Sequence, residues 1–386
     1  MAATDPRQIA LSVLNKQENS TKTLDYIFKE VGDPGHLSGR DRALLNALVY
    51  GVLRWRGRLD FFISQFSDKK LSKIDPTILN ILRLGLFQII YMSRIPNSAA
   101  VNTSVQLAKS RAPQWVTGFV NGVLRHAARK SDRLPVVDQK KDPLQALAIE
   151  KSFPPWLIRR WAERFESQVV AALCDAINAV PPISIRTNTL ISNRNQIIDS
   201  LEALTEGIES TAYAPDGIRF RNPKIPIPEM EAFKKGWFQV QDEAAQLTTL
   251  LLDPQPGDFV LDACAGLGGK TGHIAQQMNN QGSVVAMDID ADKLTQLESQ
   301  MQRLGVSIVT TIRQDLENAT DVTAELTYNR ILLDAPCTGL GVLRRNPDAK
   351  WNRSKKDLNR FSKKQIKLLT SAAKLLSVSG ILVYAV

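Results

Sequence analysis

The sequence predicts a multidomain protein with an all-helical N-terminal domain, a small α+β module, and a C-terminal α/β domain on a parallel sheet. Three observations predict this order. Over residues 6–130 apolar residues recur at three- and four-residue spacing, the helical period. From about residue 236 short apolar runs alternate with helical patterns, the signature of a parallel sheet covered by helices. Between them lies a stretch that mixes both periods. The 386 residues suffice for two or three domains that bury cores without disulfides, and 44% hydrophobic with 23% charged residues excludes a disordered or collagen-like chain.

Taken in order, the helical segments are RQIALSVLNKQ, TLDYIFKEV, DRALLNALVYGVLRWRGRLDFFISQF, PTILNILRLGLFQIIYMSRI, NSAAVNTSVQLAKS and WVTGFVNGVLRHAARK. Breaks fall at Gly32-Asp33-Pro34-Gly35, Asp75-Pro76, Pro96 and Pro113, which places the first domain at 1–135. Trp55, Phe61 and Trp115 interleave with its cations and are expected in the core rather than stacked on bases. The polar SDRLPVVDQKKDP reads as a linker. A module over 145–235 follows, with helices in PPWLIRRWAERF, QVVAALCDAINA and NRNQIIDSLEAL and strands in PPISIRTNTL and GIRFRNP. Its Cys174 reads as a small buried side chain. In 236–386, FVLDACAG, SVVAMDID, VSIVTTIRQD, RILLDAPC and GILVYAV read as five strands.

The formal charge of +10 is unevenly spread. Residues 1–130 hold 19 Lys and Arg against 9 Asp and Glu, and residues 344–374 hold 11 against 2. Residues 131–343 are acidic, with 19 against 28. Two basic blocks suit a polyanionic partner, although a surface selected for solubility explains the charge equally well. The three cysteines are scattered and the three histidines do not cluster with them, so neither a disulfide framework nor a metal site is supported. No apolar run approaches the length of a membrane span, and the cytoplasm is the expected location.

The chemistry concentrates at the ends of the C-terminal strands. Asp262-Ala263-Cys264-Ala265-Gly266-Leu267-Gly268-Gly269-Lys270-Thr271 runs from a strand into a helix, where glycines let the backbone approach a ligand and the helix N-terminus offers N–H groups. Asp288 closes the second strand, placed for a ribose diol, Asp315 follows the third, placed for an adenine amino group, and Asp334 closes the fourth. Singly, each acid reads as well as a solubilising strand end. Together they form the pattern of a nucleoside-binding cleft. Asp334-Ala335-Pro336-Cys337 differs from the Asn/Asp-Pro-Pro-Tyr/Phe strand end of amino-group methyltransferases. A thiol there points to a pyrimidine, whose carbon 5 becomes nucleophilic once a thiolate adds at carbon 6.

These features bring out a resemblance. LSGRDRALLNALVYGVLRWRGRLD, PNSAAVNTSVQLAK, ISIRTNTL, GWFQVQDEAAQL, DACAGLGGKT, MDID and ILLDAPCTGLGVLRRNPDAKW make the sequence similar to the RNA cytosine-C5 methyltransferases of the Sun/Nop2 type. Within them it resembles the bacterial 16S ribosomal RNA group (Sun/Fmu) with an N-terminal NusB-like domain. The resemblance implies a NusB-like domain, an RNA-binding adaptor, and a Rossmann-like domain that uses S-adenosylmethionine. Cys264, Ala265, Gly266, Leu267, Gly268, Gly269 and Lys270 would line the cofactor pocket, with Asp288 on the ribose, Asp315 on the adenine, and Asp334 beside the methionine end and the target base. Cys337 would be the cysteine that assists release of the methylated RNA. Arg54, Arg56, Arg344, Arg345 and Lys350 would face 16S ribosomal RNA, with no metal and no membrane involved.

Two departures qualify the resemblance. The family's loop reads Cys-Ala-Ala-Pro-Gly-Gly-Lys, whereas Gly266 and Leu267 stand here in place of the second Ala and the Pro, leaving the loop less pre-set. The family's fifth strand continues Tyr-Ala-Thr-Cys-Ser, and that cysteine is the attacking nucleophile. This sequence ends at Tyr384-Ala385-Val386. The chain as it stands is therefore expected to be inactive, with an incomplete sheet and an exposed edge strand, whether as a fragment or through a premature stop. The competing expectation is a non-catalytic RNA-binding protein of transcription or ribosome assembly with a vestigial second domain.

Overall fold

The computed structural model describes residues 5–18, 20, 22–31, 37–318 and 327–386. The break read at Gly32–Gly35 lies outside them. The chain divides into two compact units, Met1–Pro181 with Thr338–Lys355, and Pro182–Cys337 with Lys356–Val386.

The first unit is helical: α1 (Pro6–Glu18), α2 (Leu24–Val31), α3 (Gly39–Phe66), α4 (Pro76–Tyr91), α5 (Asn97–Lys109), α6 (Gln114–Arg129), α7 (Pro143–Lys151), α8 (Pro155–Ala162) and α9 (Ser167–Asn178). Ser38 caps α3 by accepting from the Asp41 N–H at 3.1 Å, and Asp75 caps α4 by accepting from the Thr77 and Ile78 N–H groups. Pro76 then occupies the first turn, where its missing N–H costs nothing. α4 is buried over most of its surface; its Ile81, Leu82 and Leu84 join Leu11, Leu48, Phe62 and Leu124 in one core. Arg83, on the same helix, is matched bidentately by Asp60 at 2.7 and 2.8 Å and also pairs with Glu18, so its charge is buried but satisfied.

Trp55 stacks on Tyr91 with centroids 5.0 Å apart, and Phe61 packs against the same core, as expected. Trp115 is a correction. It stands 66% exposed in the first turn of α6, because the apolar stripe that faces the core runs through Val116, Val120, Val123 and Leu124 instead. A second core joins Phe153, Leu157, Ile158, Val170 and Cys174 to Leu343 and Ala349. The helices α8 and α9, read from sequence in the middle module, and α7 pack in the helical unit, along with a segment from beyond Cys337.

The second unit opens with β1 (Ile183–Thr187), α10 (Arg194–Leu201), β2 (Glu206–Ser210), β3 (Gly217–Arg221), α11 (Glu231–Lys234) and β4 (Phe238–Val240). The strands form an antiparallel sheet in the order β2-β3-β1-β4, with Ile185, Ile218, Phe220 and Phe238 in its core. Next come α12 (Glu243–Leu252), β5 (Phe259–Asp262), α13 (Gly269–Gln277), β6 (Ser283–Asp288), α14 (Ala291–Leu304), β7 (Val309–Arg313) and β8 (Tyr328–Asp334). α15 (Ala349–Asn352) belongs to the helical unit, and α16 (Lys355–Ala373) and β9 (Leu376–Ala385) complete the chain's elements. The five strands pair in parallel in the order β7-β6-β5-β8-β9. The five apolar runs read from the sequence are these five strands. Strand order reverses between β5 and β8, the switch point at which such sheets open a crevice beyond their carboxyl ends.

Candidate active site

The glycine loop joins β5 to α13 beside that switch point. Gly268 is the N-cap of α13 with φ +80°, and Gly266 has φ +56°, both left-handed values that suit glycine. A Cβ on Gly268 would stand 2.6 Å from the Leu297 side chain, so the loop is pressed against α14. At Gly266 and Gly269 a Cβ would meet nothing within 4 Å, so the opposite side of the loop faces open space. The Gly266 N–H donates to Asp288 at 2.9 Å, and the other Asp288 oxygen accepts from the Asp290 N–H at 2.9 Å. The acid that ends β6 therefore fixes the loop that follows β5, and each of its oxygens keeps a lone pair for a further donor.

Lys270 forms an ion pair with Asp334, joining the first turn of α13 to the end of β8. Asp315 accepts from the Glu317 N–H at 3.0 Å just after β7. Cys264 is largely enclosed, and burial together with Asp262, Asp288 and Asp334 pushes its thiol up to about 12, which favours the protonated form at neutral pH. Cys337 follows Asp334 by three residues and is half-buried. Asp334 is in register with Ala385, and the Ala335 N–H donates to the Ala385 carbonyl at 3.0 Å. The end of β9 therefore lies alongside the strand end that carries Asp334.

Sequence reasoning passed over two residues. Asp262 is 1% exposed; one oxygen accepts from Thr271 Oγ1 at 2.7 Å and the other has no partner. Burial, and then the neighbouring Asp334 and Asp288 charges, raise it to about 6. Arg186, on β1, is fully buried; it donates to the Gly269 carbonyl at 2.8 Å, to Gln276 at 3.1 Å, and to Gln241. Burial pushes its guanidinium down to about 9, still cationic at neutral pH. It holds the first turn of α13 from the antiparallel sheet. No periodicity announces such a residue, although an arginine inside the apolar strand ISIRT was a signal.

The residues expected to face RNA need correction. Lys350 is fully buried in the helical unit, where its ammonium donates to the carbonyls of Arg54 and Ser152, each at 3.2 Å, and to Asn178 Oδ1 at 2.6 Å. It sits 3.7 Å from the Phe153 ring centroid, and burial lowers it to about 7. Arg54 is also buried and donates to the Arg344 carbonyl at 2.9 Å. Arg56 is half-buried and paired with Glu18 at 2.9 Å. Arg344 donates to the Ala179 carbonyl at 3.2 Å, and Arg345 is half-buried. Lys350, Arg54 and Arg344 thus join segment 338–355 to the helices. The exposed cations of the C-terminal basic block lie on α16 instead: Lys355, Lys356, Arg360, Lys363, Lys364 and Lys367.

An open glycine loop at the switch point and carboxylates at successive strand ends define a Rossmann-like nucleotide-binding domain, in a chain that also carries a helical region and an antiparallel α+β module. Comparison with known proteins gives the family. The model described as 16S rRNA methyltransferase RsmB/F matches residues 249–386, the NusB family model matches 4–129, and the RsmF/B-like ferredoxin-like domain matches 153–227. A Bacillus subtilis protein named probable ribosomal RNA small subunit methyltransferase B is 35% identical over all of this chain and 85% of its own length. The ribosomal RNA small subunit methyltransferase B of Pseudomonas syringae pv. tomato is 36% identical over 90% of this chain and 75% of its own. The crystal structure of PH0851 superimposes with a TM-score of 0.80 at 26% identity, covering 99% of this chain and 85% of that one. The structure of NSun6 from Pyrococcus horikoshii with SFG superimposes with a TM-score of 0.55 at 24% identity, over 61% and 83%, which shows a shared fold. The chain belongs to the 16S rRNA methyltransferase RsmB/F family.

Proposed function

We propose that the protein methylates carbon 5 of a cytosine in small-subunit (16S) ribosomal RNA, in the cytoplasm, with S-adenosylmethionine as donor. One observation carries the reading: the Gly266–Lys270 loop, Asp288 and the Lys270–Asp334 pair converge on the end of the strand that leads to Cys337. The residues fit the donor. Open space above Gly266 and Gly269 admits a ligand against the backbone, and Asp262 offers a buried unpaired oxygen beneath it. Asp288 would accept from ribose hydroxyls and Asp315 from the adenine amino group, with the chain from Cys264 to Lys270 lining the cavity. Bound there, S-adenosylmethionine supplies an electrophilic methyl group.

The protein's own groups prepare the base. A cytosine turned out of its stack enters beside Asp334, which hydrogen-bonds its pyrimidine edge and is held in place by Lys270. The attacking thiolate would be the family's cysteine, expected beyond Val386, and the Asp334–Ala385 register supports its arrival next to the base. It forms a bond to carbon 6, which makes carbon 5 nucleophilic. After carbon 5 is methylated, a base removes its proton, the electrons return to the ring, and the bond between sulfur and carbon 6 breaks. Cys337 assists this elimination.

The chain extended past Ala385 with the family's Thr-Cys-Ser and tail should incorporate methyl groups into small-subunit ribosomal RNA, and nucleoside analysis should find them on carbon 5 of cytosine. Changing the added cysteine to Ser should abolish incorporation. An extended chain that binds S-adenosylmethionine yet leaves this RNA unmethylated would refute the reading.

A further inference from the structure

On the helical unit an open groove of about 820 Å³ lies between α1, the start of α4 and the α5–α6 turn, lined by residues that include Asn15, Lys16, Asp75, Thr77, Arg111 and Trp115. Trp115 stands in its wall, 66% exposed. A tryptophan left this open gives up much of the burial that such a ring normally gains. Its indole is not loose, because Lys69 Nζ lies 4.7 Å from the ring centroid and 5.1 Å from that of Phe119. A smaller depression beside it adds Lys73. Among the described residues, Lys69, Lys73 and Arg111 surround the ring and the groove, Lys16 is paired with Glu30 at 2.8 Å, and the one lining acid, Asp75, is engaged by the Thr77 and Ile78 N–H groups.

We infer that Trp115 is a stacking platform for an unpaired base, and that the groove and its cations hold a short single-stranded stretch of RNA. An exposed indole face accepts any base, and flanking cations track the phosphates, the usual arrangement for single-strand binding. A double helix keeps its bases stacked on one another and offers none to the ring. The inference rests on the RNA reading above and assigns it a particular contact on the helical unit. It also accounts for the exposure of this tryptophan while Trp55 stays in the core.

The test compares the intact chain with a uridine 10-mer, an abasic ribose-phosphate 10-mer, and a duplex of equal length, by fluorescence anisotropy. Wild type should bind the uridine strand more tightly than either control. Trp115→Ala should lose roughly 5- to 150-fold in affinity for the uridine strand and become indifferent to the presence of bases, with an unchanged circular dichroism spectrum. Trp115→Phe should restore most of the preference. Lys69→Gln and Arg111→Gln should each flatten the salt dependence by about 0.7 in the log–log slope. If wild type binds the uridine strand and Trp115→Ala keeps the base preference, the platform is wrong while the RNA reading stands. If wild type binds none of the three, the groove is not a single-strand site and the inference is wrong, while the methylation reading is decided by its own assay.

Discussion

At Gly268 two constraints coincide, a left-handed backbone and a side chain of α14 lying where a Cβ would go. Gly268→Ala should therefore cost about 2–3 kcal/mol in thermal or denaturant unfolding, from αL strain plus the clash with Leu297, and should weaken S-adenosylmethionine binding in the same protein. Gly266 shares the positive φ but faces open space, so Gly266→Ala should cost about 1–2 kcal/mol through strain alone while obstructing the ligand's side of the loop. Asp262 behaves differently. Its carboxyl is raised to about 6 in the fold against an ordinary value of 3.8, so the folded state holds its proton more tightly. That contribution to stability is complete below about pH 3.8 and is lost as pH rises through 6. Asp262→Asn should flatten the stability–pH curve between pH 4 and 6, which urea unfolding at stepped pH would detect. The acids at the strand ends were legible because each closes an apolar run. Asp262 closes one too, but only its burial shows that its carboxyl is raised beneath the loop.

Among the elements, α13 and the segment 338–355 are held by single buried cations. Arg186 reaches from β1 to the Gly269 carbonyl and Gln276, and Asn188, two residues on, donates to the carbonyls of Gly236 and Leu304 at 2.9 and 2.8 Å. One short strand and the residue after it thus fix the helix that follows the glycine loop and the end of α14. Arg186→Leu should destabilise the protein by about 3 kcal/mol, because three acceptors lose their donor, and should weaken S-adenosylmethionine binding although the side chain does not line the open side of the loop. Lys350 plays the corresponding part for segment 338–355. Burial lowers it to about 7 from 10.5, so the folded state binds its proton less tightly than the unfolded chain between those values. Stability should rise from pH 7 to about 10 by up to ~1.4 kcal/mol per pH unit on this account, and Lys350→Met should remove that rise. Equilibrium unfolding of both proteins across that range checks it. The strands and helices were readable because their apolar periods are clean. The alliances were not: LRRNPDAKW is polar and basic, and its cations read as RNA contacts until Lys350, Leu343 and Ala349 are seen to be buried against α7–α9.

For the whole molecule, sequence charge located two basic blocks correctly but did not show which cations face outward. In residues 344–374 the buried Lys350 and the half-buried Arg344 tie down chain, whereas the lysines of α16 are exposed. Composition places boundaries near 135, 145 and 235, while packing groups Met1–Pro181 with the distant segment Thr338–Lys355. Such a return is set by tertiary packing, which a linear pattern does not carry. No described helix is long and apolar enough to cross a membrane.

The central claim is that the strand ends of the second unit form a working nucleoside cleft. Calorimetric titration of the chain with S-adenosylmethionine tests it most directly. The account predicts one site per chain, abolished by Asp288→Ala with the fold retained by circular dichroism. No binding to the wild-type chain, or undiminished binding to Asp288→Ala, would contradict it.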